Sequence, residues 1–111
     1  MQPRDWRLRV QDMLDAIKTI GRYTAAHDLE SFRKDQQTVD AVVFRLIVIG
    51  EAASALPQSV RNERSGLPWD RIRGMRNVVV HEYSGIRVDT FWQTIREDLP
   101  PLVALLEEML V

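Results

Sequence analysis

The chain contains no cysteine and only two histidines among its 111 residues. The absence of cysteine excludes disulfides, thiolate catalysis and cysteine-based zinc sites, and it is typical of proteins from a reducing cytoplasm. The two histidines, His27 and His81, lie far apart along the chain, and no carboxylate–histidine spacing typical of a metal site occurs. The sequence therefore predicts no metal and no cofactor, and a cytoplasmic protein.

Neither sign of charge dominates, because 15 Lys and Arg residues face 16 Asp and Glu residues for a net charge of −1. An anionic partner would therefore have to be attracted by a local patch and not by the whole molecule. Long apolar runs are also missing: the longest, AVVFRLIVIG, is too short for a bilayer and contains Arg45. The charged N-terminus does not resemble a secretory leader. We expect one soluble globular domain, residues 1–111, that does not engage a membrane.

Apolar residues recur at steps of three or four along most of the chain, which predicts amphipathic helices. The predicted helices span about 6–24, 37–56, a segment starting near Trp69, and a last segment starting near 89 or 90. The second of these is apolar on most of its circumference, so we expect it to be central. Residues 57–68 are predicted to be a connecting loop, and the Pro100–Pro101 pair to kink the last helix. The fold is predicted to be all-α, an up-and-down bundle of four to five helices.

The stretch GMRNVVVHEYSG, residues 74–85, carries the strongest chemical signal. Arg76 and His81 are five residues apart, about 140° around a helix axis, whereas Asn77 and His81 share a face. The arginine and the imidazole would converge if the helix ended near His81 or if a dimer supplied a facing copy. The spacing alone is a weak signal, since the helix dipole also favours a histidine near a helix C-terminus for structural reasons.

An arginine and a histidine together suit phosphodiester cleavage without a metal. The imidazole would activate a 2′-hydroxyl or protonate the leaving oxygen, and the guanidinium would stabilise the pentavalent phosphate. In-line cleavage benefits from an acid and a base at once, and a two-fold dimer would offer two copies of His81.

A local basic patch supports a phosphate partner. It comprises five arginines against two carboxylates between residues 61 and 76: Arg61, Arg64, Arg71, Arg73 and Arg76. Arg71 and Arg73 are candidate RNA contacts, although a solvated charged face explains the patch most simply. Glu51 is most simply a buried ion-pair or interface partner, but it could also reach Arg76 and hold it in place. Tyr83, taken alone, has the pattern of a half-buried amphipathic residue.

The segment RNVVVHEY resembles the R-x4-H-x-Y signature of the HepT-like branch of the HEPN superfamily, the toxin half of HepT/MntA toxin–antitoxin systems. Three further blocks are similar in the same order: DMLDAIKTIGRYT, DLESFRKDQQTVDAVVFRLIVIGEAASAL and FWQTIREDLPPL. The likeness runs nearly end to end and shows no departure within the motif.

This resemblance implies a helical bundle that forms a homodimer, in which two motifs face each other across a cleft and form a metal-independent RNase site. Arg76 and His81 would be the catalytic pair, and Asn77 would match the polar residue that follows the arginine. Tyr83 matches the tyrosine that a MntA-like nucleotidyltransferase antitoxin modifies with AMP, which blocks the RNase. RNA, this antitoxin and a second copy of the chain are the implied partners.

Two other functions stay open at this stage. A non-catalytic helical module that engages a nucleotidyltransferase would use the same apolar surfaces without chemistry at His81. A nucleotide-binding half of a split transferase ranks last, because nothing glycine-rich in the sequence would cradle a phosphate.

Overall fold

The computed structural model describes residues 5–84 and 88–111, and it covers residues 78–84 by their backbone alone. The elements are α1 (Trp6–Thr24), α2 (Leu29–Lys34), α3 (Gln36–Ala55), α4 (Gln58–Glu63), α5 (Trp69–Ser84), α6 (Val88–Gln93), a π-helical segment (Thr94–Asp98) and α7 (Pro100–Met109). Every regular element within these described ranges is helical, which confirms the predicted all-α class.

Helix α3 is the centre of the bundle, as its apolar circumference predicted. It packs along α1 on one side and along α5 on the other, and α1 also contacts α7. Val42, Leu46 and Ile49 of α3 are almost completely buried between these neighbours. Burial of a Val, Leu or Ile side chain is worth about 1.5–3 kcal/mol, so the two long helix contacts account for much of the stability.

Aspartates cap the helices that lead into this core. The Asp35 side chain accepts hydrogen bonds from the Thr38 amide at 3.1 Å and from Thr38 Oγ1 at 2.8 Å, which satisfies the first turn of α3. The Thr38 hydroxyl, followed by the Thr38 amide, lowers the pKa of the Asp35 carboxyl. Asp28 caps α2 in the same way, with Ser31 completing a capping box. Asp35 therefore takes the cap position of α3.

The prediction that residues 57–68 form only a loop was wrong, because Gln58–Glu63 is the short helix α4. Six residues are too few to show a periodic apolar stripe. The turn is also stabilised from outside: Arg61 Nη1 donates to the carbonyls of Ala53 at 3.2 Å and Leu56 at 2.9 Å, at the C-terminal end of α3. Helix α5 begins at Trp69, directly after Pro68, as predicted.

The predicted break at Pro100–Pro101 is present, and it takes the form of a π-helical segment. Proline lacks an amide hydrogen, and its ring clashes with the carbonyl four residues earlier. The chain responds with the wider turn Thr94–Asp98, in which the Leu99 amide donates to the Thr94 carbonyl at 3.1 Å, and α7 then starts at Pro100. Among the helices of the described residues, none combines the length and the apolar content that crossing a membrane requires.

Candidate active site

Helices α3 and α5 approach each other closely at Gly50, a position where a side chain would meet the backbone of α5. A Cβ atom at Gly50 would come within 2.7 Å of the Arg76 amide nitrogen, 3.0 Å of the Arg76 Cβ and 3.2 Å of the Arg73 carbonyl oxygen. These distances are shorter than ordinary van der Waals contact, and two of the three atoms belong to the α5 backbone. Glycine therefore allows α3 to hold the backbone of Arg76 in a fixed position.

The next residue of α3 contacts the side chain of the same arginine. Arg76 Nη1 lies 3.3 Å from Glu51 Oε2, the contact that the sequence had suggested. The two side chains are 36% and 61% exposed, so the pair lies at the surface. An ion pair this exposed contributes at most about 1 kcal/mol to stability. Its main effect is on geometry, because it restrains the direction of the Arg76 guanidinium.

His81 and Tyr83 lie on α5, whose backbone continues to Ser84, but their side chains lie outside the described part of the chain. The helix thus ends less than one turn beyond His81. Arg76 and His81 are separated by about 140° around the helix axis. Asn77 is exposed, next to Arg76 on the same helix.

The basic patch is less positive than the sequence suggested, because Asp98 of the π-helical segment and Glu51 of α3 contact two of its arginines. Arg71 Nη2 lies 3.3 Å from Asp98 Oδ2 and Arg73 Nη1 lies 3.9 Å from Asp70 Oδ1. Arg73 Nε is buried and makes no hydrogen bond within the part of the chain that the structure describes. Arg76 contacts Glu51, as stated above, so three of the five arginines are paired.

The outer face of α3 is apolar and open to solvent. Phe44 is 59% exposed, and Ile47 and Val48 are half-buried. These residues precede Glu51 by seven, four and three positions, so they lie on the same side of the helix as Glu51. The surface that they form therefore adjoins the Glu51–Arg76 pair. We call this surface, formed by Phe44, Ile47 and Val48, the α3 outer face.

A cavity of about 250 Å³ lies on another side of α5, where α3, α6 and the π-helical segment meet it. Arg71 and Met75 of α5 line it together with Thr94 and Asp98 of the π-helical segment. No motif in the sequence marks Thr94 or Asp98 as site residues. The available signal was the Pro100–Pro101 pair, which predicted an irregular helix at this point but not the cavity beside it.

Among the side chains that the structure describes, those of residues 5–77 and 88–111, no three His, Asp or Glu residues come together as ligands of a metal would. The described groups at the candidate site are the guanidinium of Arg76 and the carboxylate of Glu51, and the backbone of His81 lies on the same helix as Arg76.

An all-α bundle with an Arg-x4-His motif on a surface helix defines a recognised class, the HEPN domains. The model of the ribonuclease HepT-like family matches residues 13–109, which include the whole motif and every helix except the first seven residues of α1. The chain therefore belongs to the HepT-like family.

Curated relatives cover most of the chain. "Probable ribonuclease HepT" of Thermococcus cleftensis is 32% identical over 100 residues, which are 90% of this chain and 91% of the relative. "Putative RNase TTE0752" of Caldanaerobacter subterraneus subsp. tengcongensis is 40% identical over 81 residues, 73% and 72% of the two chains. "Putative RNase MJ0127" of Methanocaldococcus jannaschii is 31% identical over 110 residues, 99% and 91% of the two chains. No solved structure matches the chain at a significant level.

Proposed function

We propose that the protein is a metal-independent endoribonuclease, the toxin of a toxin–antitoxin system, with Arg76 and His81 as its catalytic residues. The observation that carries this proposal is the position of Arg76. Gly50 fixes its backbone, Glu51 restrains its guanidinium, and the side chain still reaches solvent. Stabilising the phosphate in the transition state requires a positive charge that is accessible from solvent and held in one direction.

The reaction needs a base and an acid on opposite sides of the phosphate. One imidazole removes the proton of the 2′-hydroxyl, whose oxygen attacks phosphorus, while the bond from phosphorus to the 5′-oxygen breaks. A second imidazole donates a proton to that leaving oxygen. The products are a 2′,3′-cyclic phosphate and a 5′-hydroxyl, and Arg76 stabilises the charge that accumulates on the phosphate oxygens. Asn77 is a supporting hydrogen-bonding residue beside the arginine.

Two histidines at one phosphate require two chains, since one chain carries a single motif. The α3 outer face supports a homodimer for two reasons: it is apolar and exposed, and it ends at the Glu51–Arg76 pair. A two-fold contact along this face would bring two copies of Arg76 to the same cleft. An isologous contact uses the same surface patch of both chains, so Phe44 would be buried on each of them.

The proposed regulation is transfer of AMP to Tyr83 by a MntA-like nucleotidyltransferase antitoxin in the cytoplasm. The Tyr83 hydroxyl oxygen attacks the α-phosphorus of ATP, and pyrophosphate leaves. The product carries a bulky anion two residues from His81, which would repel RNA and obstruct the cleft. Intact mass after co-expression with the nucleotidyltransferase tests this step. We expect added AMP groups on wild type and on Tyr23→Phe, the control at the other tyrosine, but none on Tyr83→Phe.

The ribonuclease is tested with labelled RNA in the presence of a chelator. Wild type should cleave, and Arg76→Ala and His81→Ala should lose at least about a hundred-fold in rate, as expected for removal of a transition-state contact or a proton-transfer group. Arg64→Ala, an exposed arginine of the same basic patch, is the matched control and should retain the wild-type rate. Equal cleavage by wild type and the two motif variants would exclude the proposed site.

The second candidate is a non-catalytic module that binds a nucleotidyltransferase. The exposed Phe44 favours it as well, because an apolar helix face serves a foreign protein as readily as a second copy. This function predicts no RNA cleavage at any protein concentration and tight co-purification of the transferase, with no effect of His81→Ala.

A further inference from the structure

The cavity beside the π-helical segment has an apolar floor. Leu46, Met75 and Phe91 form the floor, and each is at most 6% exposed. At about 250 Å³ the cavity is smaller than the roughly 300–1,000 Å³ of pockets that hold drug-sized molecules. Its size and its apolar walls suit one flat ring system and not an extended ligand.

A charged pair lies at the entrance of this cavity. The Arg71 side chain is 68% exposed and Asp98 only 20%, so the guanidinium lies at the surface and the carboxylate deeper. The pair joins Arg71 Nη2 to Asp98 Oδ2 at 3.3 Å. An ionised carboxylate offers about four lone-pair positions, and the Arg71 contact uses one oxygen, so Asp98 retains acceptor capacity beside the cavity.

The backbone that carries Asp98 is unusual. Thr94 and Asp98 begin and end the π-helical segment. π-Helical turns are rare in proteins, and those that occur are often found at functional sites. The wide turn thus forms one wall of the cavity and supplies its acidic group.

We propose that this cavity binds a guanine base of the RNA substrate, an inference that rests on the proposed ribonuclease function. Guanine presents two adjacent donors, N1–H and the N2 amino group, next to the acceptor O6. A carboxylate beside a guanidinium is complementary to this edge, with Asp98 accepting both donors and Arg71 donating to O6. Adenine, cytosine and uracil each place an acceptor where the carboxylate would lie.

The cavity is built on the same two helices, α3 and α5, as the Glu51–Arg76 pair. Met75, on the cavity floor, precedes Arg76 directly in α5, and consecutive Cα atoms are about 3.8 Å apart. Leu46 lies one helical turn before Gly50 on α3. Single-stranded RNA is generally read through bases inserted into pockets of this kind, whose walls contact the base faces. The guanine contact would set the cleavage position, whereas Arg76 acts on the phosphate.

Binding of mononucleotides tests the base site without any cleavage. We expect 5′-GMP to bind wild type, by NMR titration or calorimetry, at least about ten-fold more tightly than 5′-AMP, 5′-CMP or 5′-UMP. Inosine monophosphate, which lacks the N2 amino group, should also bind more weakly than 5′-GMP. Asp98→Asn should lose the guanine preference, and Glu97→Gln, the exposed neighbour in the same π-helical turn, should keep it. Equal binding of all nucleotides, or of inosine and guanosine monophosphates, overturns the proposal.

A cleavage experiment separates this proposal from the nuclease itself. In RNA with single guanines, wild type should cut next to guanine, and Asp98→Asn should show a reduced ratio of guanine to non-guanine cuts. His81→Ala should abolish cleavage and still bind 5′-GMP. Guanine-selective binding by a protein that never cleaves RNA would refute the nuclease alone. Cleavage without base preference, together with no 5′-GMP binding, would refute the guanine site alone.

Discussion

The amide nitrogen of Arg76 lies only 2.7 Å from the position that a Cβ atom of residue 50 would occupy. Gly50 is thus the residue that lets α5 approach α3 at the motif. Because two of the three atoms opposite belong to the α5 backbone, a larger residue at position 50 cannot be accommodated by a side-chain rotation. The position of the proposed catalytic arginine depends directly on this contact between two helices.

Substitution Gly50→Ala should destabilise the protein and displace Arg76. Alanine gains about 1 kcal/mol in helix propensity, but overpacking against a backbone costs about 1–3 kcal/mol. We expect a net loss of up to about 2 kcal/mol in the free energy of unfolding, measured with urea, and a loss of RNA cleavage larger than the loss of folded protein. Gly21→Ala in α1, where no atom lies within 4 Å of the added Cβ, should be neutral or stabilising. Full activity and stability of Gly50→Ala would contradict the close approach.

Substitution Glu51→Gln should affect catalysis much more than stability. The ion pair with Arg76 is exposed, so we expect the free energy of unfolding to change by at most about 1 kcal/mol. A guanidinium that is no longer restrained should lower kcat about ten- to a hundred-fold. Glu30→Gln, which breaks the comparable surface pair with Arg33, is the control. If Glu51→Gln and Glu30→Gln cleave RNA equally fast, Glu51 has no positioning role.

Substitution Phe44→Glu should dissociate the proposed dimer. Removing the exposed part of Phe44 from water favours association by roughly 1–2 kcal/mol per chain, and a glutamate would instead place a charge within the apolar interface on each chain. We expect a mainly monomeric protein by analytical ultracentrifugation, with reduced RNA cleavage. Leu8→Glu on α1, also an exposed apolar residue, should leave the mass unchanged. A Phe44→Glu protein that stays dimeric would show that the α3 outer face is not the interface.

Acidification should destabilise the junction between α2 and α3. The folded protein lowers the pKa of Asp35, chiefly through its hydrogen bond from Thr38, so the stabilisation is present above the ordinary value of 3.8 and is lost as pH falls through the folded pKa. Asp28, whose carboxylate accepts a hydrogen bond from the Ser31 amide, also has a lowered pKa and acts in the same direction. Asp35→Asn keeps a good helix cap but cannot titrate. Its melting temperature should fall less steeply below about pH 4 than that of wild type. Parallel curves for the two proteins would exclude this role of Asp35.

The features that the sequence predicted correctly are those set by local patterns. The helix boundary at Trp69 follows from the neighbouring Pro68, and the central position of α3 follows from its nearly continuous apolar surface. Each of these features depends on chain neighbours or on the periodic pattern of apolar residues. The family could also be recognised from the sequence, because its motif occupies eight consecutive residues.

The features that the sequence did not predict depend on contacts between distant segments. Helix α4 is stabilised by Arg61 donating to carbonyls of α3, a contact that no periodicity encodes. Pro100 predicts only that a regular helix cannot continue through it. It does not predict the wide turn that begins at Thr94, or which residues of that turn face a cavity. The acidic partner of Arg71 is Asp98, 27 positions later in the sequence, so the basic patch looked more positive than it is.

The most direct test of the central claim, that two chains build one ribonuclease site, is to dilute wild-type subunits with His81→Ala subunits. Mixtures are prepared at constant total protein under conditions that exchange subunits, and cleavage of labelled RNA is measured with a chelator present. If both histidines of a dimer are required, activity falls with the square of the wild-type fraction. A decline in direct proportion to that fraction, or no decline, would contradict a shared site.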